Sequence, residues 1–212
     1  MKYNPEKHHR RSLRLKGYDY SSPGAYFITL CTHQRQCLFG AIEDGVMQTN
    51  EFGNVVADTH VWLETQYPHV YWDAWVIMPN HVHGILVLTD IPGRGVVSDG
   101  DATRTRTAPT SRNDLAPQNI PPSRTAPTSH NDPPENGTSP KSLGCLMGAF
   151  KTISTKQINL LRDTPASSVW QRNYYEHIIR SEASLQRIRH YIDCNPLAWQ
   201  QDQLHPDNPS KW

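Results

Sequence analysis

Residues 70–88 read VYWDAWVIMPNHVHGILVL. Val70 to Met78 is aromatic and β-branched, Pro79-Asn80 is a turn, and His81 to Thr89 resumes the same chemistry. That pattern predicts two strands, the second pairing back on the first. Working outward, Gly24 to Thr32 is another β-rich run, bounded by Pro23-Gly24. Between them Phe52, Val55, Val56, Thr59, Trp62 and Leu63 recur at helical spacing, with Thr49 or Asn50 as N-cap and Pro68 closing the far end. Further on, Leu143, Leu146, Met147, Phe150, Ile153 and Leu161 share one helical face, with Lys151, Thr155, Lys156 and Asn159 on the other. Pro165 ends that helix, and Val169 to Ile179 reads as a strand. Ser181 caps a last helix that carries Leu185, Ile188 and Ile192 inward and stops before Pro196. The order β-α-β-β-α-β-α predicts an α+β fold. Its first six elements match a ferredoxin-like βαββαβ antiparallel sheet with packed helices, followed by an extra C-terminal helix.

The composition divides the chain. Apolar residues are 36% and prolines number 17 against 12 glycines, a globular part diluted by something irregular. Residues 92–141 hold nine prolines, no aromatic residue and four large aliphatics, Val96, Val97, Leu115 and Ile120. Such a segment buries too little to offset the entropy of ordering and reads as a disordered, Pro-rich insert. It carries a near-repeat, Arg106-Thr-Ala-Pro-Thr-Ser recurring from Arg124, which marks low-complexity expansion. The expected organisation is a basic arm at 1–20, a domain at 21–199 interrupted by that insert, and a tail at 200–212.

The net charge of +1 conceals a polarity, because residues 1–20 carry six Lys/Arg against two acids while residues 21–91 carry one Arg against seven. A basic arm of this kind suits phosphate contact or serves as a solubilising tail. No apolar run reaches the length that spans a bilayer, and the N-terminus is too polar and basic for a secretory leader. The four cysteines, Cys31, Cys37, Cys145 and Cys194, show no C-x-x-C spacing. The expectation is a cytoplasmic protein with reduced thiols and no membrane partner.

Two constellations stand out chemically. On a strand, His81 and His83 project to one face and can share a metal ion, or they are simply a pair of hydrogen-bonded histidines beside a turn. In the last helix Tyr191 and Asn195 lie one turn apart, either a packed phenol and a helix-ending amide or something more. Taken together, two imidazoles and an amide oxygen form a mixed N/O site suited to Mg²⁺ or Mn²⁺ at a phosphate. A phenol beside it, a poor nucleophile with pKa ~10, gains from the local positive charge.

Trp75-Val-Ile-Met-Pro-Asn-His-Val-His-Gly-Ile-Leu resembles the His-hydrophobic-His block of single-tyrosine transposases. Trp170-Gln-Arg-Asn-Tyr-Tyr-Glu-His-Ile-Ile-Arg, followed by Tyr191-Ile-x-x-Asn-Pro, resembles the REP-associated tyrosine transposase branch of the IS200-like superfamily. The match spans 25–91 and 142–199, with the insert in a loop. The resemblance implies a bacterial, nucleoid-associated enzyme that cuts and rejoins single-stranded or hairpin DNA at palindromic repeats. It implies Tyr191 as the nucleophile that becomes 5′-phosphotyrosine linked, and His81, His83 and Asn195 as ligands of Mg²⁺ or Mn²⁺. More distant single-tyrosine transposases carry Gln where Asn195 stands. Tyr174 and Tyr175 are read as core or base-stacking rings, and His177 as a second partner of the site or a sheet-packed side chain. Candidate DNA contacts are Arg10, Arg11, Arg14 and Lys16 in the arm, with Lys151, Lys156, Arg172, Arg180, Arg187 and Arg189 in the body; each singly is equally a solvated charge. Because the family includes dimers and monomers, the resemblance leaves the oligomeric state open. The rival readings are a catalytically silent hairpin-binding protein and a metal-dependent hydrolase with a water nucleophile. A structural metal module is disfavoured, lacking a cysteine or third histidine at ligand spacing.

Overall fold

The computed structural model describes residues 15, 17–90 and 141–208. Arg10, Arg11, Arg14 and Lys16 and all of the insert except Lys141 lie outside the described residues.

Among the described residues, six strands and three α-helices follow one another as β1 (Gly24–Cys31), β2 (Gly40–Glu43), β3 (Val46–Thr49), α1 (Glu51–Gln66), β4 (Val70–Met78), β5 (His81–Leu88), α2 (Leu143–Leu161), β6 (Tyr175–Ile179) and α3 (Glu182–Cys194). The main sheet runs β4-β5-β1-β6, antiparallel throughout. Each βαβ pair, β1-α1-β4 and β5-α2-β6, therefore brackets a strand that runs the other way, the split arrangement expected of the ferredoxin-like fold. The β2–β3 hairpin was not foreseen. It is short and mixed in character, and Gly45 at φ 75 supplies its turn. The sequence also set the start of β6 at residue 169, but only Thr32 bridges to Trp170 there, and regular pairing begins at Tyr175.

Sheet alternation sorts the two faces. Tyr26, Ile28 and Leu30 on β1 lie opposite Leu86, Gly84 and Val82 on β5, and these form the core with α1 and α2. Val56, Leu63, Leu146, Met147, Phe150 and Ile158 are buried in that layer. Leu161, expected inside, is exposed, and Asn159, expected outside, is buried. The reason is the turn after α2: Asn159 Nδ2 donates to Ser167 O and its Oδ1 accepts from Arg162, which ties the helix end inward at that position. Caps form where expected, with Asn50 accepting from Phe52 N and Gly53 N, and Ser181 accepting from Ser184 N.

The opposite sheet face carries Phe27, Thr29, His81 and His83, and α3 packs across it on β4 and β5. Of the residues placed inward on α3, Ile192 is buried, while Leu185 and Ile188 are half-buried. The register of β4 shifts between Trp72 and Ala74, so Asp73 is a bulge residue. Its carboxylate reaches α3, where Arg189 Nε donates to Asp73 Oδ2 at 2.7 Å and Arg189 Nη2 donates to Asp73 Oδ1. Trp199, the last residue of the expected domain, is buried here, and so are Asp202 and Leu204 in the segment set apart as a tail.

Candidate active site

The site is assembled from β5, the turn before it, α3 and the segment after α3. Asn80 in the β4–β5 turn donates through both amide hydrogens, to Arg35 O at 3.2 Å and Leu204 O at 2.8 Å. Its Oδ1 must then face His81 Nδ1, 2.7 Å away, as the acceptor. His81 Nδ1 consequently carries the proton and Nε2 holds the lone pair. That Nε2 is buried and has no hydrogen-bond partner.

The same logic fixes Asn195, the C-cap of α3. Its Nδ2 donates to Asp202 Oδ2 at 3.2 Å, leaving a buried Oδ1 without a partner. His83 lies with its ring centroid 4.5 Å from that of His81. With His83 Nδ1–H donating to Thr29 Oγ1 at 2.8 Å, Nε2 accepts from the Tyr191 hydroxyl at 3.1 Å.

Electron-pair donors gather here: His81 Nε2 and Asn195 Oδ1 have no partner, while His83 Nε2 accepts from Tyr191 and Asp202 accepts from Asn195 Nδ2 and Leu204 N. His81, His83 and Asp202 each offer a ligand atom, all within 4.8 Å of one another and all buried. Two neutral imidazoles, a carboxylate and a free amide oxygen make a mixed N/O set that fits a divalent cation. Buried acceptors left unpaired are costly, and a cation removes that cost.

Electrostatics agree with an acceptor cluster. Burial pushes the His81 pKa down to about 3, with the Asn195 side chain opposing. Burial, and then the neighbouring His81, push His83 well below its usual value. Both rings are thus neutral, the form that binds metal. The Tyr191 pKa is pushed up to about 12 by burial and by the Asp202 carboxylate, with an Asn195 hydrogen bond opposing. The protein's own groups therefore hold the phenol protonated.

The sequence brought His81, His83, Tyr191 and Asn195 together, and so does the structure. Asp202 escaped it because it lies eight residues past α3, closing a one-turn 3-10 helix at Trp199–Gln201 that no periodicity announces. Tyr191 is 41% exposed, open to a ligand on one side. Phe27 packs among the rings of His83, Tyr175 and Tyr191, with Tyr175 exposed. His177 is exposed on β6.

The candidate cations are spread around the body. Arg189 is held by Asp73, so it anchors α3. Lys151 donates to the carbonyls of Gln171, Arg172 and Asn173. Lys156, Arg172, Arg180 and Arg187 are exposed.

The fold is similar to that of a solved REP-associated tyrosine transposase bound to a REP hairpin, with a TM-score of 0.50 at 15% identity, covering 96% of this chain and 91% of that one. No protein-family model matches the sequence. A Haemophilus influenzae protein described only as uncharacterized is 39% identical over 207 residues, covering 97% of this chain and 98% of its own length. The chain belongs to that protein's family.

Proposed function

We propose that the protein is a metal-dependent single-stranded DNA endonuclease and strand transferase of the REP-associated tyrosine transposase type, acting on hairpin-forming repeats. The observation that carries this reading is the Tyr191 hydroxyl, 3.1 Å from His83 Nε2, at the edge of a buried His81, His83 and Asp202 cluster in which His81 Nε2 and the neighbouring Asn195 Oδ1 are unpaired. A simple hydrolase has no need of a phenol there.

His81 Nε2, His83 Nε2, Asp202 and Asn195 Oδ1 would hold Mg²⁺ or Mn²⁺. When bound, such a cation polarises the scissile phosphate and offsets charge developing on its oxygens. Tyr191 Oη attacks phosphorus, and the P–O3′ bond breaks with its electron pair leaving on O3′, which takes up a proton. The phenol proton goes to solvent, which reaches the partly exposed ring. The products are a 5′-phosphotyrosine and a free 3′-hydroxyl, and the reverse attack rejoins the strand. Asn80 and Thr29 hold the two imidazoles in their ligand tautomers. The arm residues Arg10, Arg11, Arg14 and Lys16, with Arg180 and Arg187, add phosphate contacts in this reading.

Labelled single-stranded palindromic DNA incubated with protein and Mn²⁺ tests it. Wild type should give a covalent protein–DNA adduct on a denaturing gel, and Tyr191→Phe none. Cleavage by Tyr191→Phe without any adduct would establish the hydrolase instead.

A further inference from the structure

Away from the site, α2 and the segment that leads into β6 enclose a groove of about 460 Å³. Its wall carries the exposed cations Lys156 and Arg172, the hydroxyls of Thr155, Ser167 and Ser168, and no carboxylate. Among the described residues no acid pairs with Lys156 or Arg172. The groove is built rather than incidental. Lys151 ties three successive carbonyls, at residues 171–173, to α2. Opposite, Ala166 holds a left-handed φ of 64, a conformation a side-chain-bearing residue keeps only when its surroundings enforce it.

The chemistry selects the ligand. Hydroxyls and unpaired cations in a concave surface without acids bind a phosphodiester chain. Bases find no free ring there, because Trp170 is buried against Phe39 and Phe150 and its Nε1 donates to Ser154. The groove floor also connects to the site through the sheet. Gln171 N donates to Cys31 O, and Cys31 pairs with His81. Two strand spacings, about 10 Å, thus separate the backbones of Gln171 and His81; the groove opens on the α2 face and the site on the α3 face, so a bound strand would pass round the β6 edge between them.

The geometry points to this groove as a sequence-independent track for the backbone of the single-stranded DNA substrate, flanking the scissile phosphate. Lys156 and Arg172 make the phosphate contacts, and Lys151 shapes the track. This rests on the proposed function, since it assigns a second part of the same substrate.

Binding of a fluorescein-labelled single-stranded oligonucleotide, followed by anisotropy in EDTA across a salt series, reads the groove without metal chemistry. The double variant Lys156→Gln/Arg172→Gln should reduce the slope of log K against log salt by about 1.4, at ~0.7 per contact. At 0.1 M salt that is a loss of about 25-fold, with binding at 1 M unchanged. Ser168→Asp, which places a carboxylate at the rim and leaves both cations intact, should weaken binding as well. If wild type binds and forms the adduct while both groove variants keep its affinity and slope, the track is refuted and the proposed function stands. If wild type shows no salt-dependent binding to single-stranded DNA, both readings fall.

Discussion

His60 offers the sharpest energetic test of the fold. It projects from α1 between two indoles, with ring centroids 3.9 Å from Trp75 and 5.5 Å from Trp72. Neither of its nitrogens has a hydrogen-bond partner, and both are shut off from solvent. Burial alone pushes its pKa from 6.5 down to about 4. The unfolded chain therefore binds a proton below pH 6.5 that the folded chain refuses until about pH 4. Stability contributed at neutral pH is lost as the pH falls through that window. Between pH 7 and pH 5 the loss from this one ring is about 2 kcal/mol, and it approaches about 3 kcal/mol below pH 4.

His60→Phe keeps the stack and removes the titration. Urea denaturation of both proteins at pH 7 and pH 5 should show the variant gaining about 2 kcal/mol on wild type as the pH drops. The packing penalty of the larger ring does not depend on pH and cancels in that comparison. His81 and His83, which are also buried and neutral, weaken both proteins alike in acid and cancel too. A wild-type-to-variant difference that stays constant between the two pH values would refute the reasoning.

Three further outcomes are expected. Asp202→Asn should weaken Mn²⁺ binding, measured by calorimetry, by at least about tenfold, with Asn195→Ala milder because water replaces an amide ligand. Asp73→Asn and Arg189→Met should each slow adduct formation at saturating DNA while leaving oligonucleotide affinity near wild type, and the double variant should be no worse than the poorer single one. Gly84→Ala places a Cβ 2.5 Å from Trp72 Cζ3, and thermal melting should report a destabilisation of about 1–3 kcal/mol.

What the sequence made legible followed periodicity and punctuation. The β4–β5 pair, the caps Asn50 and Ser181 and the stop before Pro196 were local signals, and local physics settles them. His81 and His83 were readable because alternation on a strand is rigid, and Tyr191 and Asn195 because one helical turn is rigid. Asp202 and the Asp73–Arg189 pair were not readable, since each depends on where a chain segment lands in three dimensions. The bulge shows this well. A strict period of 2 through Val70–Met78 gives no place for Asp73, and only the paired strand reveals the extra residue. Asn159 failed for a related reason, because a turn beyond the helix, not the helix itself, decides that its amide is buried.

The bulge also explains how a weakly buried helix can hold the Tyr191 hydroxyl in place. Among residues of α3, only Ile192 is fully inside, too little apolar surface to fix a helix against a sheet at ångström precision. Polar contacts supply the rest, and they sit at either side of Tyr191. Before it, Arg189 is clasped by the bulged Asp73; after it, Asn195 donates to Asp202, whose Oδ1 accepts from Leu204 N and is held by its own segment. Because a helix is stiff, locating residues 189 and 195 locates the hydroxyl between them. The second of those fixed points lies within the ligand cluster itself. In the proposed reaction, Asn195 and Asp202 would hold the cation and fix the end of α3 at once, so metal binding and placement of the Tyr191 hydroxyl would be coupled.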